Sequence, residues 1–180
     1  MKRTINQIAG LLIVVLLLVS CEKKPSLQTY FVDHQESPNY ISQDLPISML
    51  NIDQTNFTDD QKIAYNSVSR LNFLGYKPSE SNSTELEDEI HKVKTILSQS
   101  KYNELIEFND RGSKVTVKYI GDDNEADEFV VFGASKELGF GIVRVLGDDM
   151  TPQKMTTLVG LLQKANIDEA QLQDVMSFFK

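Results

Sequence analysis

Leu11 to Val19 is an unbroken apolar run, preceded by Lys2 and Arg3 and closed by Ser20 and Cys21. A helix that crosses a bilayer needs about 20 apolar residues. This run is half that length, even when Ala9 extends it loosely backward. A positive start, a short apolar middle and a small residue before the cut describe a cleaved export signal. The folded body therefore begins after residue 20. That leaves 160 of the 180 residues, enough for one domain with a real core. Cys21 is the only cysteine, so the fold has no intramolecular disulfide and no cysteine zinc site.

Leu18-Val19-Ser20-Cys21 resembles the bacterial lipobox, whose cysteine is lipidated and becomes the first mature residue. A single unpaired cysteine in an exported chain is otherwise odd, and a thioether to lipid uses it. The expected organisation is a lipoprotein signal peptide over 1–20, a lipidated tether over 21–26 and one α+β domain over 27–180. Acyl chains on Cys21 then hold the membrane, each buried methylene contributing about 0.8 kcal/mol. From roughly 3.3–3.6 Å per residue the tether reaches about 15–20 Å at most. The precursor carries net charge −8, and loss of Lys2 and Arg3 makes the mature part −10. Such a body repels anionic lipid and nucleic acid, so nucleic-acid binding is excluded as a function class.

Downstream, Leu27, Tyr30, Phe31 and His34 fall at helical spacing behind Ser26, a suitable N-cap. Ser37-Pro38-Asn39 is a turn, Tyr40-Ile41 a strand stub, and Leu45 to Leu50 another helical turn. Thr58-Asp59-Asp60-Gln61 is a capping box that opens a short helix to about Asn66. Val68 to Gly75 is a first strand, and residues 77–83 are a polar loop with a proline. Thr84-Glu85-Leu86-Glu87 is a second capping box, followed by a stripe of Leu86, Ile90, Val93 and Leu97. Tyr102, Leu105 and Ile106 predict a short helical turn before the tight turn Asn109-Asp110-Arg111-Gly112.

Three strands come next, over 114–120, 128–134 and 139–146, joined as hairpins in that order. Phe129-Val130-Val131-Phe132 is apolar on both faces, which predicts a central strand whose far face is either covered by a second layer, the favoured arrangement, or is itself a partner or ligand surface. Residues 27–66 hold enough apolar side chains to form that cover. Helices over 152–165, capped by Thr151, and over 168–179, capped by Asp168, each carry one apolar stripe. With the helix over 84–98 they should pack on the sheet, and Phe178 and Phe179 should dock on the body. The expected fold class is α+β: a mainly antiparallel sheet of about four strands packed with amphipathic helices.

Residues that carry chemistry do not converge. Asp122 to Glu128 is acidic, but no frame gives the ligand spacing and glycine of a calcium loop. Glu85, Glu87, Asp88 and Glu89 complement a helix N-terminus. Gly133-Ala134-Ser135 lacks the second glycine of a nucleophile elbow, and Ser177-Phe178-Phe179-Lys180 has no companion motifs. Gly139-Phe140-Gly141 precedes no helix, so no phosphate cradle is expected. His34 and His91 share no motif and read as surface or packing residues. The sequence predicts no catalytic residue, no metal site and no cofactor.

Tyr102-Asn103-Glu104-Leu105, Lys114 to Tyr119, Glu128 to Phe132 and Ile142 to Asp148 resemble the DUF4252 family, whose members are small exported proteins, often lipoproteins, of Bacteroidetes. The resemblance is strongest over 102–147. It implies a "Tyr-x-x-Leu" helix, three apolar strands, a Gram-negative host and an outer-membrane destination, and it brings no catalytic residues. The expected function is an envelope-anchored, non-enzymatic interaction or accessory module with an unidentified envelope protein partner. The alternatives are a carrier or sensor of a small apolar ligand held in a pocket of a few hundred Å³ or more, and an enzyme whose site does not show in sequence.

Overall fold

The computed structural model describes residues 25–50, 52–78, 83–110, 113–162 and 173–179. The expected signal peptide, Cys21, loop residues 79–82, Arg111, Gly112, Asn166 and Asp168 lie outside the described residues, as do the side chains of Leu162, Val175 and Met176.

Helix α1 (Leu27–His34) starts where Ser26 Oγ accepts the Thr29 N–H at 3.1 Å, and it buries Leu27, Tyr30 and Phe31 at i, i+3 and i+4. Strand β1 (Tyr40–Pro46) is next, then a 3-10 turn (Ile47–Leu50). The stub expected at Tyr40-Ile41 is thus a full strand. Leu45 and Pro46 belong to it and not to a helix; a proline is tolerated at the end of an edge strand. Helix α2 (Asp59–Asn66) carries the full capping box: Gln61 N–H to Thr58 Oγ1 at 3.3 Å, and Thr58 N–H to Gln61 Oε1 at 2.9 Å. Strand β2 (Val68–Tyr76) and helix α3 (Ser83–Leu97) come next. Thr84 stands inside α3, so it does not cap it.

The clearest departure from expectation is β3 (Asn103–Asp110). The segment read as a Tyr102-x-x-Leu105 helix is an edge strand. Its ladder with β4 shifts register between Glu104 and Ile106, so Leu105 and Ile106 fall side by side at a bulge and mimic helical spacing. Strands β4 (Ser113–Gly121), β5 (Ala126–Ser135) and β6 (Gly139–Gly147) form the expected meander. Helix α4 (Pro152–Leu162) is capped by Thr151, whose Oγ1 accepts the Lys154 N–H at 3.2 Å, and α5 (Gln173–Phe178) ends the described chain.

The sheet has six strands, not about four, in the order β1-β2-β6-β5-β4-β3, every neighbouring pair antiparallel. It separates two apolar clusters. One face, with Leu74, Tyr76, Val130, Phe132, Phe140 and Ile142, lies under α1 and α3. The other, with Val68, Tyr119, Phe129 and Val145, lies under the 3-10 turn, α2 and α4. The helices therefore pack on opposite faces, and residues 27–66 contribute to both covers. On the second face Gly75, Gly141 and Gly133 stand in register across β2, β6 and β5. Phe73 leans into this flat row, and Phe179 meets it edge-on with ring centroids 6.4 Å apart. A Cβ on Gly75 would sit 2.9 Å from both rings, which is why no side chain stands there.

Candidate functional site

Among the described residues two carboxylates are buried, and both are occupied from within. Glu89 lies on the sheet-facing side of α3, three residues after Leu86 and four before Val93, with an 8% exposed side chain. Its Oε2 accepts from the Tyr30 hydroxyl of α1 at 2.6 Å and the Tyr40 hydroxyl of β1 at 3.0 Å; Oε1 accepts from Lys92 at 2.5 Å. The His34 ring packs on Tyr30 and Tyr40 with centroids 4.2 and 4.7 Å away, and its Nε2 stands 3.9 Å from Glu89. Burial alone would raise the Glu89 pKa. The hydrogen bonds from Lys92, Tyr30 and Tyr40 outweigh it and hold the carboxyl below its usual range. Burial, then the bond to Glu89, pushes Tyr30 well above the ordinary phenol value; Tyr40 is raised chiefly by burial. Both phenols therefore act as fixed donors. The cluster ties α1, β1 and α3 together, and its carboxylate is engaged by internal donors.

The second carboxylate, Glu128 of β5, forms a bidentate pair with Arg144 of β6, Nε to Oε1 and Nη2 to Oε2 both at 2.8 Å. The guanidinium carbon stands 5.5 Å from the centre of the Phe31 ring, so α1 is also clamped at this end. The bonds to Glu128 raise the Arg144 pKa further above its already high value.

Among the residues weighed from sequence, Cys21 lies outside the described residues. His91 is exposed on α3 and His34 packs in the cluster just described. The acidic loop is a closed turn: Asp122 Oδ1 accepts the N–H groups of Asn124 and Glu125, and Asp123 accepts the Tyr119 hydroxyl at 2.6 Å. Glu89, read as a helix-dipole carboxylate, is instead the buried hub of a network. Its position on the apolar stripe was the available signal. Tyr30, Tyr40, Glu128 and Arg144 had none beyond their place in apolar runs. Among the described residues no group of three or more His, Cys, Asp and Glu is placed to hold a metal ion. No helix among them is long and apolar enough to cross a membrane.

The main concavity lies on the first face, between α3 and the β3-β4-β5 side of the sheet, with a volume of about 750 Å³. Leu86, Ile90, Leu97, Phe132 and Ala134 supply its apolar surface. Its rim is charged. Lys114 pairs with Glu107 at 2.9 Å and Lys118 with Glu104 at 3.8 Å, both across the β3–β4 ladder. Lys94, Lys136 and Glu87 also line it, and the two lysines make no ion pair among the described residues. Where α3 ends, Leu97 and Ser98 line the groove, and the next residue, Gln99, donates its side-chain amide to the Pro25 carbonyl at 2.7 Å.

A protein family described as a domain of unknown function, DUF4252, matches residues 30–158. No curated protein and no solved structure matches the chain.

Proposed function

This chain belongs to the DUF4252 family, and from that premise we propose that it is an envelope lipoprotein, anchored through acyl chains on Cys21, that works as a non-enzymatic interaction module at the membrane surface. The observation that carries this reading is the bond from Gln99 to Pro25. The folded body already holds the chain four residues after Cys21. At roughly 3.3–3.6 Å per residue, lipid and domain are then separated by about 15 Å or less. A domain held this close meets membrane-resident partners and cannot reach across an envelope compartment. A Gram-negative outer membrane is the destination that the family resemblance favours.

The non-enzymatic part rests on the buried carboxylates. Glu89 and Glu128 are engaged by internal donors, and neither lines the groove. Photo-crosslinking from Val32, an exposed position on α1, tests the reading in native envelopes. Crosslinks to lipid or to membrane proteins are expected. They should vanish when residues 1–21 are exchanged for an ordinary cleaved export signal, which releases the folded domain without lipid. Crosslinks spread over soluble envelope proteins, unchanged by that exchange, would overturn it.

A further inference from the structure

We propose that the groove between α3 and the β3-β4-β5 side of the sheet binds a single-chain amphiphile with an anionic head, of the long-chain fatty acid class. Three observations converge on that occupant.

The first is shape and surface. A volume of about 750 Å³ falls within the range of small-molecule sites, about 300–1,000 Å³. Its long apolar side runs from Leu86 past Ile90 to Leu97 along α3, and the stems of Lys114 and Lys118 extend it on the strand side. An alkyl chain is the ligand that uses a long apolar surface with few polar contacts.

The second is charge. The chain as a whole is −8, yet the groove carries Lys94, Lys114, Lys118 and Lys136 against Glu87, Glu104 and Glu107. Lys114 and Lys118 spend their charge on Glu107 and Glu104. Lys94 and Lys136 have no such partner among the described residues and stand at the rim. In an acidic protein these are the ammonium groups positioned to receive an anion from outside. Lys94 on α3 and Lys136 after β5 each offer an ammonium group to an anionic head; a cationic head fits neither.

The third is place. Leu97 and Ser98 line the groove where α3 ends, directly before the residue that holds Pro25. With Cys21 lipidated, that end lies beside the bilayer, where single-chain amphiphiles are found. This third observation alone rests on the membrane-anchored reading.

The test is carbon-13 NMR of carboxyl-labelled oleate with the acylated protein in phosphatidylcholine vesicles. Oleate in the bilayer gives one carboxyl resonance. Oleate in the groove should give a second, which stays ionised to lower pH because cations surround it. The double variant Lys94→Gln, Lys136→Gln should weaken this signal at least about tenfold, the size of losing a charge-assisted contact. Lys62→Gln, on α2 beneath the opposite face, should leave it unchanged. Both lysine variants keep the wild-type circular dichroism, because all three side chains are exposed. A single resonance identical to that of protein-free vesicles overturns the proposal. So does a second resonance that survives the double variant, or equal competition by oleyl alcohol. The same titration on unlipidated Cys21→Ser separates the two readings: oleate bound there keeps the groove assignment, whatever becomes of the membrane anchor.

Discussion

Replacing Glu89 by Gln probes the network that joins α1, β1 and α3. The carboxylate accepts from Tyr30 and Tyr40, both through Oε2. A hydrogen bond to a charged group contributes about 1.5–3 kcal/mol, and a neutral one about 0.5–1.5. An amide oxygen at the same place keeps both phenol bonds but lowers each by roughly 1 kcal/mol. Lys92 is 59% exposed and can swing into water, so its pair adds about 1 kcal/mol at most. Glu89→Gln should therefore cost roughly 2 kcal/mol at neutral pH, or about 4–8 °C in Tm for a domain of this size. The pH dependence comes from the lowered folded-state pKa. A depressed carboxyl pKa contributes stability above the unfolded value, and that contribution fades as pH falls through the folded value. Wild type should lose it as pH falls from the ordinary carboxyl range through the lower folded-state value, while the variant, which cannot titrate there, should not. Urea unfolding followed by tyrosine fluorescence at neutral pH and near pH 3 measures both. A neutral-pH loss under about 0.5 kcal/mol would refute the network's role. A loss that is the same at both pH values would refute the charge assignment.

Leu158→Ala should cost about 2–5 kcal/mol, since Leu158 is buried among Met155, Tyr65 and Phe129; urea midpoints showing less than about 0.5 would count against that packing. Glu128→Ala strands the Arg144 guanidinium and should cost about 3–5 kcal/mol, whereas joining it with Arg144→Met should recover most of the loss, read as Tm of the single and double variants. Gly139→Ala should destabilise by more than about 1 kcal/mol, because φ is +101° and the added methyl collides with the Tyr76 carbonyl. Gly133→Ala meets only a Val115 methyl at 3.7 Å and should be close to neutral in the same melt. Cys21→Ala should accumulate as uncleaved precursor on gels, without incorporation of labelled palmitate; normal cleavage and release would contradict lipidation at that sulfur.

What the sequence disclosed depended on how regular each signal was. Val115, Val117 and Tyr119 alternate cleanly, and the strand stands where alternation puts it. Ser26, Thr58 and Thr151 cap helices because a short side-chain oxygen before an apolar period has one local use. Strand β3 stayed hidden because its bulge puts Leu105 beside Ile106 and destroys the period of two. Strand β1 stayed hidden because an edge strand with Ser42, Gln43 and Asp44 has little apolar pattern to show. The groove is the join of α3 with the three strands that follow it, a tertiary packing that no local pattern could announce. Glu89 was legible in principle. A carboxylate at +3 from Leu86 and −4 from Val93 shares the apolar stripe, and a charge there must be paired.

The strand order also bears on when the molecule can come together. β3 to β6 close through hairpins, and β1 pairs with β2 across a connection that contains α2. In the sheet these two units pair along β2 and β6, where Val68 faces Gly147 and Tyr76 faces Phe140. Joining them means closing a long loop, an entropic cost met before any of its contacts form. Helix α1, the first element of the domain, rests on Phe132, Phe140 and Ile142, which are among the last strand residues to be made. A chain built this way stays open while its tail is still being delivered. The first of its described helices is also the one that cannot settle until nearly everything else has arrived.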